Sequence, residues 1–329
     1  MKKTLLATAI AGAMAASGAQ AATVYNQDGT KLDIYGNIQL AYSSLKNDAG
    51  DSEDQIADNG STFGFAAQHA ITSDLTGYLK LEFDDFDASE IKTAGRQQGG
   101  DEAYVGIRGN FGDVRLGNDD TLFNDWVQDP LALYEFFGVT TSGTSGGEQE
   151  HDKLTYFSPS LGGFQFAVET QYKGDAEDEI QTGGGDSEAS FGAVAKYTVG
   201  GLAFTAGYDD RAAVEETGTT AEGEQYGGNI QYTIDTLRLT AKYEVNAFDD
   251  DAVGDTDLAG ISARYGYGMG DVYGVWQNVD PDNGDERDEV VIGGTYSVSD
   301  AMYVWAEAGW FDEENDSGDG FATGVAYLF

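Results

Sequence analysis

The stretch Gly320-Phe321-Ala322-Thr323-Gly324-Val325-Ala326-Tyr327-Leu328-Phe329 is an alternating strand that ends on an aromatic, and the rest of the chain repeats its pattern. Alternation over about ten residues at a time, with no apolar run long enough for a spanning helix, is how a chain crosses a membrane as a closed barrel. Between 31 and 45, Leu32, Ile34, Ile38, Leu40 and Tyr42 share one parity, while Asp33, Tyr35, Asn37, Gln39 and Ser43 share the other. One face suits lipid or a core and the other tolerates water. The same contrast sets Leu237, Leu239, Ala241, Tyr243 and Val245 against Arg238, Thr240, Lys242, Glu244 and Asn246.

Sixteen such segments are predicted, at 31–45, 61–71, 75–84, 101–109, 112–118, 152–157, 163–173, 189–199, 201–210, 224–234, 237–248, 257–268, 271–280, 288–298, 301–311 and 320–329. An even number lets antiparallel neighbours close with both ends on one side. The expectation is therefore an all-β fold, a transmembrane antiparallel β-barrel of 16 strands. Its connections alternate in length. Short ones include Thr72-Ser73-Asp74, Asp235-Thr236 and Ser299-Asp300; long ones include 46–60, 85–100, 119–151, 174–188, 211–223, 248–256 and 312–319. Short periplasmic turns and long extracellular loops are what an outer-membrane barrel requires.

Composition agrees. Met1 to Met14 carries Lys2 and Lys3 before a short apolar run, and Ala19-Gln20-Ala21 supplies a small-x-small site. These are the parts of a secretory signal, so residues 1–21 are expected to leave and 22–329 to form the barrel domain. With no cysteine in an exported chain, neither disulfides nor a thiolate-bound metal is available. Three prolines, 46 glycines, 19 tyrosines and 17 phenylalanines suit sheet. Aromatics near strand ends, among them Tyr35, Phe83, Tyr104, Tyr172, Tyr208, Tyr232, Tyr265, Tyr296 and Trp310, supply candidates for two interfacial girdles. The formal charge of −41 excludes a nucleic-acid backbone as partner and predicts a cloud of cations.

Much of that acid lies in the long connections: Asp48, Asp51, Glu53, Asp54 and Asp58 in one, Asp312, Glu313, Glu314, Asp316 and Asp319 in another. They read as a solvated, salt-tolerant surface or as loosely held divalent cations, although none has the spacing of an EF-hand. No other cofactor is implied. The connection 119–151 is different. It mixes Asp119, Asp120, Asp125, Asp129 and Glu135 with Leu122, Phe123, Trp126, Val127, Leu131, Leu133, Tyr134, Phe136 and Phe137, and so many large apolar groups must pack on something. In a barrel, the surface on offer is its own inner wall. Asp125, Asp129 and Glu135 are then candidates for a pore constriction, and the inward parity of the early strands offers Lys80, Tyr104, Arg108, Arg115 and Lys153 opposite them.

At this point the chain resembles the general porins of Gram-negative outer membranes, especially the trimeric, sixteen-stranded enterobacterial type. The likeness is carried by Val24-Tyr25-Asn26-Gln27-Asp28-Gly29-Thr30-Lys31-Leu32-Asp33-Ile34-Tyr35-Gly36, by Val105-Gly106-Ile107-Arg108-Gly109-Asn110-Phe111-Gly112, by Val114-Arg115-Leu116-Gly117 and by Pro130 with Glu135-Phe136-Phe137-Gly138, similar to the tip of that family's inward-folded third loop. The resemblance implies a homotrimer in the cell outer membrane, in contact with lipid and lipopolysaccharide. Phe329 would be the signal read by the barrel assembly machinery, and 85–100 the loop that latches onto a neighbour. It also puts Thr62, Asp101 and Gln149 where the family carries its constriction arginines. None is basic, so stronger cation preference is expected.

The function implied is passive diffusion of small hydrophilic solutes and ions. A solute-specific channel remains open, because Tyr35, Tyr78 and Tyr104 could contact a sugar. A secreted calcium-binding adhesion protein is a third class. Enzymatic chemistry is not expected: His69 and His151 are the only histidines, and neither has a nucleophile and orienting acid evident beside it.

Overall fold

The computed structural model describes residues 21–84, 88–89, 102–141, 152–172, 189–216, 219–248 and 254–329. Short β1 (Ala22–Gln27) leads into β2 (Thr30–Lys46), β3 (Ser52–Asp58), β4 (Thr62–Thr72), β5 (Leu75–Phe83), β6 (Ala103–Gly109) and β7 (Gly112–Asn118). After a long connection come β8 (Lys153–Phe157), β9 (Phe164–Tyr172), β10 (Ala189–Val199), β11 (Leu202–Glu216), β12 (Thr219–Ile234) and β13 (Leu237–Phe248). The wall is completed by β14 (Thr256–Gly266), β15 (Asp271–Pro281), β16 (Arg287–Ser299), β17 (Met302–Trp310) and β18 (Gly320–Leu328).

Every neighbour pairs antiparallel, and β18 returns to β2 with Leu328 opposite Asn37 and Gly320 opposite Leu45. The sheet therefore closes and leaves no free edge. β3 pairs with the second half of β2 while β4 pairs with the first, so the two share one place in the wall. β1 lies along the first half of β2, in line with β18, which occupies the second. The eighteen strands thus fill sixteen places, the 16-stranded transmembrane barrel. The β1–β2 hairpin turns on Asp28 and Gly29, both at positive φ (52° and 76°), as a tight two-residue turn between right-twisted strands demands.

Alternation sorts the residues. Val105, Ile107, Leu116 and Leu154 are exposed on the outside, whereas Tyr104, Lys153 and Thr155 on the same strands are buried inside. Phe164, Tyr197 and Phe204 lie in one cross-strand row near the short turns, and Tyr172, Phe191, Tyr208, Tyr226 and Tyr243 lie exposed nearer the long connections. Phe164 to Tyr172 spans about 27 Å of strand at ~3.4 Å per residue, and strand tilt brings that near the apolar band of such a barrel. Tyr35 and Tyr104, candidates for the girdles, instead turn into the lumen, each only 7% exposed.

Two expected loops are partly strand. Ser52–Asp58, inside the predicted loop 46–60, pairs from Ser52 opposite Lys46 to Asp58 opposite Leu40. β11 and β12 continue their ladder to Glu216 opposite Thr219, through most of the predicted loop 211–223. Ser52–Asp58 is polar at Ser52, Glu53, Asp54, Gln55 and Asp58, and the outer part of β12 is polar at Thr219, Thr220 and Glu222. Neither face needs to be apolar there, so alternation carries no signal of them.

Candidate functional site

Residues 119–141 lie against the inner wall. A π-helical turn, Asn124–Gln128, opens the segment, and Leu122, Phe123, Val127, Leu131 and Leu133 are all at most 2% exposed. Burying each such side chain stabilises the arrangement by about 1.5–3 kcal/mol. The receptacles are glycines: a Cβ on Gly207 of β11 would sit 2.8 Å from Val127, one on Gly260 of β14 would sit 2.6 Å from Leu131, and one on Gly309 of β17 would sit 2.8 Å from Phe137. The loop packs on bare strand backbone at each.

Polar wall residues hold the loop backbone between these points. Glu169 accepts from Leu122 N (2.9 Å), and Asn229 Nδ2 donates to the carbonyls of Trp126 (2.7 Å) and Val127 (3.0 Å). Gln128 Nε2 donates to Glu244, which is itself paired with Lys242 at 3.0 Å in full burial. Glu307 takes the amides of Glu135, Phe136 (2.9 Å) and Phe137 (3.0 Å) and the Tyr273 hydroxyl. Glu289 takes the amide (2.7 Å) and hydroxyl of Thr140. Lys196 places its ammonium 4.2 Å from the Trp126 ring centre. None of these residues was a candidate site residue on the sequence alone. Their only sequence signal is polar character at inward parity, which they share with every lumen residue.

The expected site residues divide. Lys153 is 2% exposed; its Nζ pairs with Glu169 (2.7 Å) and donates to the carbonyls of Asp119 (2.9 Å) and Asp120 (2.7 Å), binding the root of the loop. Arg115 pairs with Asp119 (2.6 Å) and stacks over Tyr104 (4.8 Å) and Phe157 (4.6 Å). Lys80 sits between Glu102 (2.5 Å) and Glu82 (3.6 Å). Arg108, further toward the short turns, donates to Gln68 (2.6 Å) over the Tyr78 ring. Thr62 accepts from Asn37 (2.8 Å). Asp101, Gln149 and His151 lie outside the described residues. His69 is exposed and shares a hydrogen bond with Thr30 (2.7 Å).

On the loop, Asp125 is partly buried, and Asp129 reaches water while ringed by protein. Loss of bulk solvation, and then the Asp120 charge, push the Asp129 carboxyl up to about 6 against an opposing hydrogen bond from Asn124. Burial first, then Asp120, Asp129 and Asp119, hold Asp125 well above the usual carboxylate range. Glu135 is raised by burial, opposed by the Tyr303 hydroxyl that donates to it (2.9 Å). Among the described residues no three acids or histidines are grouped as a metal site.

The geometry is a closed barrel with an internal loop on one side. Opposite stands a wall whose bases at Lys80 and Arg115 are already paired with acids. The sequence profile of Gram-negative porins matches residues 6–316. A monosaccharide porin of a Halomonas species and a major outer membrane protein of Halomonas elongata are each 52% identical, over 100% of both chains. The solved structure of an anion-selective porin from Comamonas acidovorans aligns with a TM-score of 0.75 at 19% identity, covering 91% of this chain and 100% of that one, a likeness of fold.

Proposed function

This chain belongs to the Gram-negative porin family, and we propose that its diffusion channel through the outer membrane prefers cations, with the loop 119–151 setting the constriction. The reading rests on one observation: Lys80 is clasped by Glu82 and Glu102, so among the described residues the wall facing the acidic loop presents no free cluster of bases. Acids on both sides lower the energy of a cation in the narrow passage and raise that of an anion. Asp125, Asp129 and Glu135 act from the loop; Lys80, Tyr104, Arg108 and Arg115 act from the wall; Thr62 and Asp101 stand where arginines would make an opposing field. Lys153 serves the loop's position.

The finer arrangement belongs to the same proposal. Residues 1–21 are the export signal, the short turns face the periplasm, the long loops face outward, and Phe329 addresses the assembly machinery. Three copies associate, with the loop 85–100 reaching a neighbour. The test is the reversal potential of the purified protein in a planar bilayer under a tenfold KCl gradient. The expected sign is cation-selective, and Glu82→Gln with Glu102→Gln, which releases Lys80, should move it toward zero. An anion-selective wild type would overturn the reading.

A second reading has its own support. Tyr78 and Tyr104 meet edge to face at 6.2 Å, with Tyr35 nearby on the same wall, and one relative at 52% identity carries the name monosaccharide porin. A sugar-selective channel would show uptake that saturates with one hexose. Uptake falling only with solute size would favour plain diffusion.

A further inference from the structure

Arg238 of β13 and Arg264 of β14 are direct cross-strand partners. Each lies at the parity of buried lumen residues: Arg238 with Thr240, Lys242 and Glu244, and Arg264 with Ser262 and Leu258. Directly opposed side chains on one face have Cβ atoms about 5 Å apart, and like charges so placed repel. Arg264 has a partner, donating to Asp271 at 2.9 Å over the Tyr273 ring. Arg238 has none among the described residues, and its Nε is buried without a hydrogen bond. Asp271 is committed to Arg264, and Glu135 on the loop already accepts the Tyr303 hydroxyl. Two guanidinium groups therefore stand beside one carboxylate that pairs only with Arg264, close to where β13 begins at Leu237 and β14 ends at Gly266, at the short-turn end of the lumen.

A strongly acidic chain has carboxylates to spare, yet it leaves this guanidinium unpaired inside a water-filled barrel. The planar fork of an arginine matches an oxyanion in two parallel hydrogen bonds, and a second arginine alongside adds charge without competing for the same geometry. We propose that Arg238 and Arg264 form a docking station for a small oxyanion, the carboxylate of an organic acid or an inorganic phosphate, in the lumen beyond the loop. The proposal rests on the diffusion-channel reading for its place in transport. It does not involve the wall at Lys80, whereas the Glu135 carboxylate of the loop lies within electrostatic reach of Arg264. Its consequence is that anionic solutes which pass the acidic entrance are held and slowed at the other end, separately from the preference for inorganic cations.

Two measurements test it. Sodium gluconate and sodium phosphate are titrated separately at fixed ionic strength, reading single-channel KCl conductance in a bilayer and the melting temperature of the detergent-purified protein. The expected result is a saturating fall in conductance and a rise in melting temperature. Arg238→Gln shifts the half-effect at least threefold to higher concentration, Arg238→Lys gives an intermediate shift, and Lys31→Gln, the same charge change at another lumen-end position, gives none. A response to gluconate alone assigns a carboxylate station, and one to phosphate alone a phosphate station. Identical titrations for wild type and Arg238→Gln overturn the station. Absence of KCl current before either oxyanion is added fails the channel reading, and the melting-temperature titration then decides the station by itself.

Discussion

At the scale of single residues, one carboxylate should report its environment electrically. Burial and the neighbouring Asp120 charge push the Asp129 carboxyl up to about 6. Between pH 7 and pH 5, Asp129 changes from mostly charged to mostly neutral. Cation selectivity should therefore decline across that window, and Asp129→Asn should give a flat profile at the lower level; a wild-type profile in the variant would remove Asp129 from the ion path. The stability linkage has a definite sign. The raised value means that the folded chain holds this proton more tightly than the unfolded chain, so its contribution is full below pH 4 and is lost as pH rises through about 6. Glu307 is the second informative residue, since its carboxylate gathers three successive loop amides and a tyrosine hydroxyl. Glu307→Gln turns one acceptor into a donor among donors and should cost about 2–3 kcal/mol by thermal unfolding. It should also increase fluctuation in single-channel current, because the loop tip loses its anchor.

At the scale of elements, the loop and the wall are fitted by subtraction. Gly207, Gly260 and Gly309 stand on three different strands, and each leaves the space that one loop side chain fills. Gly260→Val should displace Leu131 and the loop with it, costing about 1–3 kcal/mol as overpacking does. A conductance changed in Gly260→Val but not in Gly274→Val, where an added Cβ meets only ordinary contacts, would tie the pore to this fit. Much of the wall could be read in advance, because lipid on one face and water on the other write a two-residue period into every spanning strand. Where both faces are polar that period disappears, which is why β3, with Ser52, Glu53, Asp54 and Gln55 in succession, left no trace. The loop's apolar content announced that it packs. Its docking points were illegible, because Glu307 reaches Phe137 across 170 residues of sequence and resembles any other inward acid. Lys153 shows the same limit: polar parity brought it to the lumen, but three partners at the loop root turned it from a lining group into a brace.

At the scale of the whole molecule, two sources of negative field compete to explain the expected selectivity: the many acids of the long loops and the few around the constriction. Ionic strength separates them, because the screening length falls from roughly 30 Å at 0.01 M to about 3 Å at 1 M. Carboxylates such as Asp51, Asp312 and Glu314 on connections, and Asp54 on β3, are exposed, where an ion need not approach them closely. On the proposed reading, Asp129 and the Glu82–Lys80–Glu102 group flank the ion path itself, where screening by mobile ions is restricted to the channel's own water. Reversal potentials measured with tenfold KCl gradients should therefore show cation preference at both low and high mean salt, smaller at high salt but still present. The combined variant Asp51→Asn, Asp54→Asn, Asp312→Asn and Glu314→Gln should reduce the preference at low salt and leave the high-salt value unchanged. If preference vanishes at 1 M in the wild type, the field belongs to the outer loops and the constriction is electrically neutral. A variant that loses preference equally at both salts would instead mean that those loops reach the ion path directly.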